Sequence, residues 1–364
     1  MNHINLLIKP ASGNCNMRCD YCFYHSLTEQ RAQRDYGLMA LETLEILVKK
    51  AFTEATESIT FAFQGGEPTL CGLGFYMEFE KYVHRYNADG IKVNRAFQTN
   101  GLVIDESWCE YFKKYNYLVG LSMDGPDFLN NLYRKDTTGQ HVFDRVMMTK
   151  SLFDVHEVPY NVLCVVTGEL ARYGKKVYQF FKNHQIRYIQ FINCLDDLHQ
   201  RQGTNEYSLT WKRYLKFQKD IFDIWYEDIM KGDIVSIRYF DNYVAMIAGH
   251  PPESCNMNGF CSCQFVIEAD GSVYPCDFYV TDDYRIGTIH ENSLREMAES
   301  EKTTEFIQES LVVNKKCRHC KWYPLCRNGC KRERFDNLNE FCEANYNFFN
   351  YSYDRMVEIA KRMT

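Results

Sequence analysis

Two rhythms of apolar residues alternate along the first half of the chain. Short apolar runs occupy Ile4–Ile8, Ile59–Phe63, Val93–Gln98, Leu118–Met123, Tyr160–Val166 and Tyr188–Asn193. Between them lie amphipathic stretches at Ala40–Thr56, Phe75–Tyr86, Glu106–Tyr115, Val142–His156 and Lys175–His184. In the first of these, Leu41, Leu44, Leu47, Val48, Ala51 and Phe52 recur at helical spacing, which predicts one buried face. Regular alternation of strand and helix predicts an α/β fold with a parallel sheet covered by helices. The six predicted strands are fewer than a closed barrel needs. An open, partial (β/α)6 barrel with a lateral gap is therefore expected.

The rhythm changes near residue 200. A polar connection, His199–Asn205, leads into a long helical stretch at Leu209–Met230. Cysteines then crowd Cys255 to Cys342, a region with little periodicity and many turn residues. Such a region is expected to be a small domain ordered by metal rather than by a large core. One hairpin is legible in it: Gln264–Glu268, a turn at Ala269-Asp270-Gly271, then Ser272–Pro275. Ala344–Met363 reads as a closing helix. The domains expected are 1–234, 235–342 and 343–364.

Composition narrows the chemistry. The 364 residues carry a net charge of -6, which argues against a dedicated nucleic-acid binder. The N-terminal apolar run Leu6, Leu7, Ile8 is too short for an export signal, and no stretch is long enough to span a membrane. A cytoplasmic protein is expected. Disulfides are rare in that compartment, so sixteen cysteines point to metal or redox chemistry.

The cysteine spacings say which. Cys15, Cys19 and Cys22 follow the first strand as C-x3-C-x2-C. A four-iron cluster takes four ligands, so a loop offering three leaves one iron open to a substrate or cofactor. A zinc site completed by His25 is the alternative. Downstream, Cys317, Cys320, Cys326, Cys330 and Cys342 join Cys255, Cys261 and Cys276 to make eight thiols, enough for two fully ligated clusters. Two zinc sites fit the same spacing. Cys263 competes with Cys261, although Cys261 fits the spacing C-x9-G-x4-C through Gly271 to Cys276. Basic residues crowd the same region: Lys315, Lys316, Arg318, Lys321, Arg327, Lys331, Arg332 and Arg334. They read as a solvated basic face or as compensation for thiolate charge.

Other candidates stand at predicted strand ends, where parallel α/β folds gather their sites. Gln64-Gly65-Gly66-Glu67-Pro68 follows strand two, with glycines where backbone must approach something closely. Ser122 and Asp124 end strand four, with Arg134 beyond, and Leu195 follows strand six. Asp277 follows Cys276 among aromatics; a partly buried carboxylate is a candidate general base, its pKa raised by burial.

Together, the cysteine loop and Gly65-Gly66-Glu67-Pro68 resemble the radical S-adenosylmethionine (SAM) superfamily, and Cys261 to Cys342 resembles its SPASM extension. The blocks LLIKPASGNCNMRCDYCFYHSL, FAFQGGEPTL, VGLSMDGP, QFINCLD and DGSVYPCDFYV are similar to those of the anaerobic sulfatase-maturating enzymes. That resemblance implies a radical SAM barrel with a C-terminal cysteine-rich SPASM domain, and three [4Fe-4S] clusters. Cys15, Cys19 and Cys22 would hold the cluster that chelates SAM; Tyr21, Gly66, Ser122, Arg134 and Leu195 would bind SAM itself. Cys255, Cys261, Cys276 and Cys330 would hold one auxiliary cluster, and Cys317, Cys320, Cys326 and Cys342 the other. Asp277 matches the family's proposed base.

The implied reaction oxidises a Cys or Ser in the C/S-x-P-x-R motif of an unfolded sulfatase to Cα-formylglycine. A 5′-deoxyadenosyl radical would remove hydrogen from the β-carbon. The second electron would leave through an auxiliary cluster. Tyr24 and Gln64 are expected on the substrate side. An electron donor such as flavodoxin or ferredoxin is the further partner expected, with no nucleic acid and no membrane. A thioether-forming radical SAM enzyme, an electron-transfer protein and a zinc-dependent interaction module are the rival readings.

Overall fold

A computed structural model describes residues 1–363. Ten strands are used below: β1 (His3–Lys9), β2 (Ser58–Phe63), β3 (Lys92–Thr99), β4 (Tyr117–Ser122), β5 (Tyr160–Val166), β6 (Tyr188–Asn193), β7 (Ser236–Ile237), β8 (Val266–Glu268), β9 (Ser272–Tyr274) and β10 (Gly287–Thr288). Packing divides the chain into two compact units that cut across sequence order. The first comprises 1–122, 134–160 and 262–307; the second comprises 123–133, 161–261 and 308–364.

In the first unit, β1, β2, β3 and β4 pair in parallel, in chain order. Helices Leu41–Glu54, Gly72–Tyr86 and Glu106–Lys114 supply the crossovers. The alternation read from the sequence therefore becomes a parallel sheet. The Asp105 carboxylate starts the last of these helices by accepting from the Trp108 amide at 3.1 Å. Behind the sheet, Phe63, Tyr76, Phe97, Trp108 and Phe112 pack edge-on or tilted at centroid separations of 5.0–6.3 Å. Each such ring contributes about 1.5–3 kcal/mol by burial.

The predicted hairpin forms as β8 and β9, but it is not a free appendage. β8 pairs in parallel with β1, and β9 carries β10 on its far side. The segment 262–307 also supplies helix Leu294–Ala298 and the greater part of helix Glu301–Ser310. Val266, Ile267, Val273, Ile289, Leu294 and Phe306 are all buried. The part of this region between 262 and 307 thus shares its core with β1. Its apolar residues fall in runs of two or three, too short to show a period. Seated against β1, they are enough.

In the second unit, β5, β6 and β7 pair in parallel. Helix Trp211–Met230 is capped by the Thr210 hydroxyl, which accepts from the Arg213 amide at 3.5 Å. It packs against the closing helix Cys342–Met363 through Phe222 and Phe348, at 5.6 Å between centroids. None of the sixteen cysteines is in a disulfide, and among the described residues no helix is long and apolar enough to cross a membrane.

Candidate active site and cluster ligands

The first unit builds its site at the ends of β1, β2 and β3. Cys15 Sγ accepts from the Met17 amide at 3.3 Å and from Asn100 Nδ2 at 3.6 Å. Burial, and then the nearby Glu67, push this thiol up to about 11. A thiol so placed becomes a thiolate only beside a compensating cation, which bound iron supplies. Cys15, Cys19 and Cys22 bring three thiols onto this one loop, a donor set of the kind that holds iron.

The glycine turn explains how the loop is held. A Cβ on Gly66 would lie 1.9 Å from the carbonyl oxygen of Asn14. The Gly66 amide donates to Ser12 O at 2.8 Å and the Glu67 amide to Asn14 O at 2.7 Å. The close approach demanded at Gly66 is thus to the backbone just before Cys15. Glu67 is buried, and its carboxylate accepts from the amides of Thr69 and Asn100 and the hydroxyls of Thr69 and Thr99, at 2.7–3.1 Å. Burial raises its pKa; these donors oppose the rise. Glu67 is a structural anchor that ties the β2 and β3 ends together.

Of the residues expected to bind SAM, Tyr21 and Arg134 meet directly: Arg134 Nη1 donates to Tyr21 Oη at 3.0 Å, with both side chains buried. Ser122, at the end of β4, accepts from Gln98 Nε2 at 2.9 Å. Leu195 belongs to the second unit. It lies in the turn after β6 beside Asp196, whose carboxylate accepts from the amides of Gly203 and Thr204 at 2.5 and 3.0 Å.

Asp277 lies in the first unit, in an arrangement with one member that periodicity and motif spacing did not single out. Lys9 ends β1 and is fully buried, yet its ammonium reaches Asp277 Oδ1 at 2.5 Å. Gln64 Nε2 donates to the other carboxylate oxygen at 2.6 Å. The Lys9 ammonium also sits over the Tyr24 ring, 3.8 Å from its centroid. A Cβ on Gly65 would come within 3.0 Å of the Lys9 stem, and φ at Gly65 is +121°, so this glycine both allows the turn and seats the lysine. The setting of Asp277 is therefore ionic, not simply aromatic. The available signal was a lysine following the apolar run Leu6-Leu7-Ile8, shortly before the cysteine loop.

Tyr24 does not present its hydroxyl to solvent. Its Oη donates to Glu268 Oε1, which also accepts from Arg31 Nη2 at 2.9 Å. Burial, and then the Glu268 charge, hold the phenol well above its ordinary pKa, so it remains a donor. Arg31 and Glu268 thus hold the Tyr24 ring whose face meets the Lys9 ammonium. Gln64 remains half-buried, and the Asp277 side chain is 20% exposed.

The second unit holds a thiol-lined cavity and a further group of thiols. Cys317, Cys320, Cys326 and Cys342 line one cavity of about 190 Å³. Four thiols lining one cavity are a donor set that can hold an iron–sulfur cluster. Burial pushes Cys326 up to about 12. Cys255, Cys261 and Cys330 lie within electrostatic reach of one another, and burial pushes Cys330 up to about 12 as well. Cys276 and Cys263 both belong to the first unit. There the Cys263 thiol is raised by burial to about 11 and interacts with Thr303.

Comparison with known proteins gives this geometry a family. Residues 10–170 match the radical SAM superfamily, and 255–321 match the SPASM iron-sulfur cluster-binding domain. The chain is 46% identical to a cysteine-type anaerobic sulfatase-maturating enzyme of Clostridium perfringens, with all of both chains covered. The chain belongs to the anaerobic sulfatase-maturating enzymes. A serine-type anaerobic sulfatase-maturating enzyme of Bacteroides thetaiotaomicron is 30% identical, over 95% of this chain and 88% of its own. The solved structure of native anSMEcpe with bound AdoMet and Cp18Cys peptide superimposes with a TM-score of 0.96 at 45% identity, covering 100% of both chains. The fold is accordingly the mixed, mostly parallel α/β fold of a radical SAM enzyme with a SPASM domain. Membership in the anaerobic sulfatase-maturating enzymes brings with it iron–sulfur clusters and SAM.

Proposed function

We propose that this radical SAM enzyme oxidises a cysteine side chain in the C-x-P-x-R motif of an unfolded sulfatase to Cα-formylglycine. The observation that carries the proposal is Asp277, held between Lys9 at 2.5 Å and Gln64 at 2.6 Å on the strand ends that carry the cysteine loop and the glycine turn. Cysteine rather than serine is favoured because the relatives at 45–46% identity are cysteine-type, whereas the serine-type relative stands at 30%.

Cys15, Cys19 and Cys22 would hold the first cluster, with Tyr21, Gly66, Ser122, Arg134 and Leu195 around SAM. Cys255, Cys261, Cys276 and Cys330 would hold one auxiliary cluster, and Cys317, Cys320, Cys326 and Cys342 the other, three in all. When bound, SAM and reduced iron supply a carbon radical that takes one hydrogen atom from the substrate β-carbon. The remaining work belongs to side chains. Asp277 takes the thiol proton as the carbon–sulfur double bond forms and one electron passes to an external acceptor; water then replaces the sulfur, which leaves as hydrogen sulfide, to give the aldehyde. Lys9 and Gln64 fix both carboxylate oxygens, so the base meets the thiol in one orientation. Lys9 is a positioning residue, acting through Asp277. Tyr24 presents its ring to Lys9 and keeps it aimed at the carboxylate. Domain boundaries at 234 and 342 and a flavodoxin- or ferredoxin-type donor complete the reading.

Anaerobic incubation of reduced enzyme and SAM with a C-x-P-x-R peptide should give a carbonyl product detectable by mass spectrometry and hydrazine trapping. A thioether product, or SAM cleavage with unaltered peptide, would contradict the assignment.

A further inference from the structure

β6 ends at Asn193, and the turn that follows is held by one side chain. The Cys194 amide still continues the ladder, donating to Val166 O at 3.2 Å. Gln202, eight residues further on, then folds its side-chain amide back across the turn. Its Nε2 donates to Cys194 O at 2.7 Å, and its Oε1 accepts from the Asp196 amide at 3.2 Å. These two groups belong to the peptide units on either side of Leu195. In a trans peptide the C=O and N–H point in opposite directions, and the chain has no cis peptide bond. By fixing both planes, Gln202 therefore turns the N–H and the C=O of Leu195 to the side away from itself. Among the described residues, those two groups have no hydrogen-bond partner.

The connection that carries Gln202 is built to keep it there. It is polar and has no apolar run to pack, so hydrogen bonds must order it. The buried Asp196 carboxylate accepts from the amides of Gly203 and Thr204, and from Asn205 Nδ2 and the Ser208 hydroxyl at 3.1 and 2.5 Å. The Gln202 amide donates to Glu340 at 2.7 Å, and Arg332 donates to the Asp196 carbonyl. The loop thus closes on the residue next to Leu195 and leaves Leu195 itself unbonded.

A donor and an acceptor turned the same way from one residue match the edge of an adenine base, whose exocyclic amine donates beside a ring nitrogen that accepts. We propose that Gln202 is a positioning residue for SAM, holding the Leu195 main chain toward the adenine edge and so setting the preference for that base. The inference rests on the proposed function, in which Leu195 lies against SAM. Gln202 acts through Leu195 and touches no reacting atom.

The test is equilibrium dialysis of anaerobic holoenzyme with two probes, SAM and its inosine counterpart, in which an oxo group replaces the adenine amine. The wild type should bind SAM about tenfold more tightly than the inosine counterpart. Gln202→Ala should weaken SAM about fivefold to tenfold and leave the counterpart nearly unchanged, with iron content retained. Gln202→Glu keeps an acceptor for the Asp196 amide but sets an oxygen against Cys194 O, and should show the same selective loss. Unchanged SAM affinity in both variants would overturn the proposal. So would equal weakening toward both probes, which is what a purely structural glutamine would give, or equal affinity of the wild type for the two. Failure of the wild type to bind SAM at all would instead contradict the proposed function.

Discussion

The two compact units handle buried charge in opposite ways. In the first, an ammonium is taken fully out of water and given a carboxylate and an aromatic face: Lys9 with Asp277 and with Tyr24, whose ring Arg31 and Glu268 hold. In the second, thiols line a cavity of about 190 Å³ and are raised by burial, so their charged form waits on a metal. The first unit places a proton acceptor with protein groups alone, beside its own cysteine loop; the four-thiol cavity of the second is completed by what it binds. The lesson is that a single buried cation positions chemistry, while a set of buried thiols positions a cofactor.

That contrast can be broken at several points. The largest effect belongs to the ligands. Cys15→Ala should abolish SAM cleavage with little change in melting temperature, because its loop is laced to Gly66 and Glu67 by backbone hydrogen bonds. Cys317→Ala should lower iron content and melting temperature together, as expected where metal binding is part of folding. Calorimetry with iron and sulfide quantification separates the two; equal losses of stability would erase the comparison.

Asp277→Asn comes next. Loss of a general base costs about 10²–10⁴-fold, so formylglycine should fall by that factor while 5′-deoxyadenosine is still released. Lys9→Met should lower formylglycine formation about tenfold to a hundredfold at unchanged peptide affinity, again with SAM cleavage retained. It should also cost about 3 kcal/mol of stability, since it leaves a buried carboxylate without its cation. Lys9→Arg should restore part of the stability but less of the turnover, because a planar guanidinium does not occupy the place of a compact ammonium.

The smallest effect leaves the site untouched. Burial raises the Asp241 carboxyl from its ordinary range to about 6, against the opposing hydroxyl of Ser236. The folded state therefore holds its proton to higher pH than the unfolded chain does. Stability from this group is present below the ordinary carboxylate range and is lost as pH rises through about 6. Asp241→Asn should abolish that decline, worth about 2 kcal/mol. Denaturant titrations from pH 4.5 to 7 would show it.

Much of this molecule was legible in its residues. The six strands of the βα alternation fall where apolar runs predict them, because each buries at least one face under the crossover helices. The cysteine loop, the glycine turn and the hairpin also stand where their residues place them. The division into compact units was not legible. β8 pairs with β1 across more than 250 residues of sequence, and a pairing of that span leaves no local pattern. Helices Phe23–Glu29, Asp127–Tyr133 and Arg238–Ile247 also escaped; the first two are too short to show a period. Lys9 escaped for a different reason. A lysine at a strand end is ordinarily solvated, and only the fold brings Asp277 to it.

The central claim is that Lys9 acts through Asp277, and a double-mutant cycle tests it most directly. Formylglycine formation would be measured in Lys9→Met, Asp277→Asn and the double variant, each normalised to 5′-deoxyadenosine released. The account predicts that the double variant is no slower than Asp277→Asn alone, because Lys9 has nothing left to position. Two losses that multiply would contradict it.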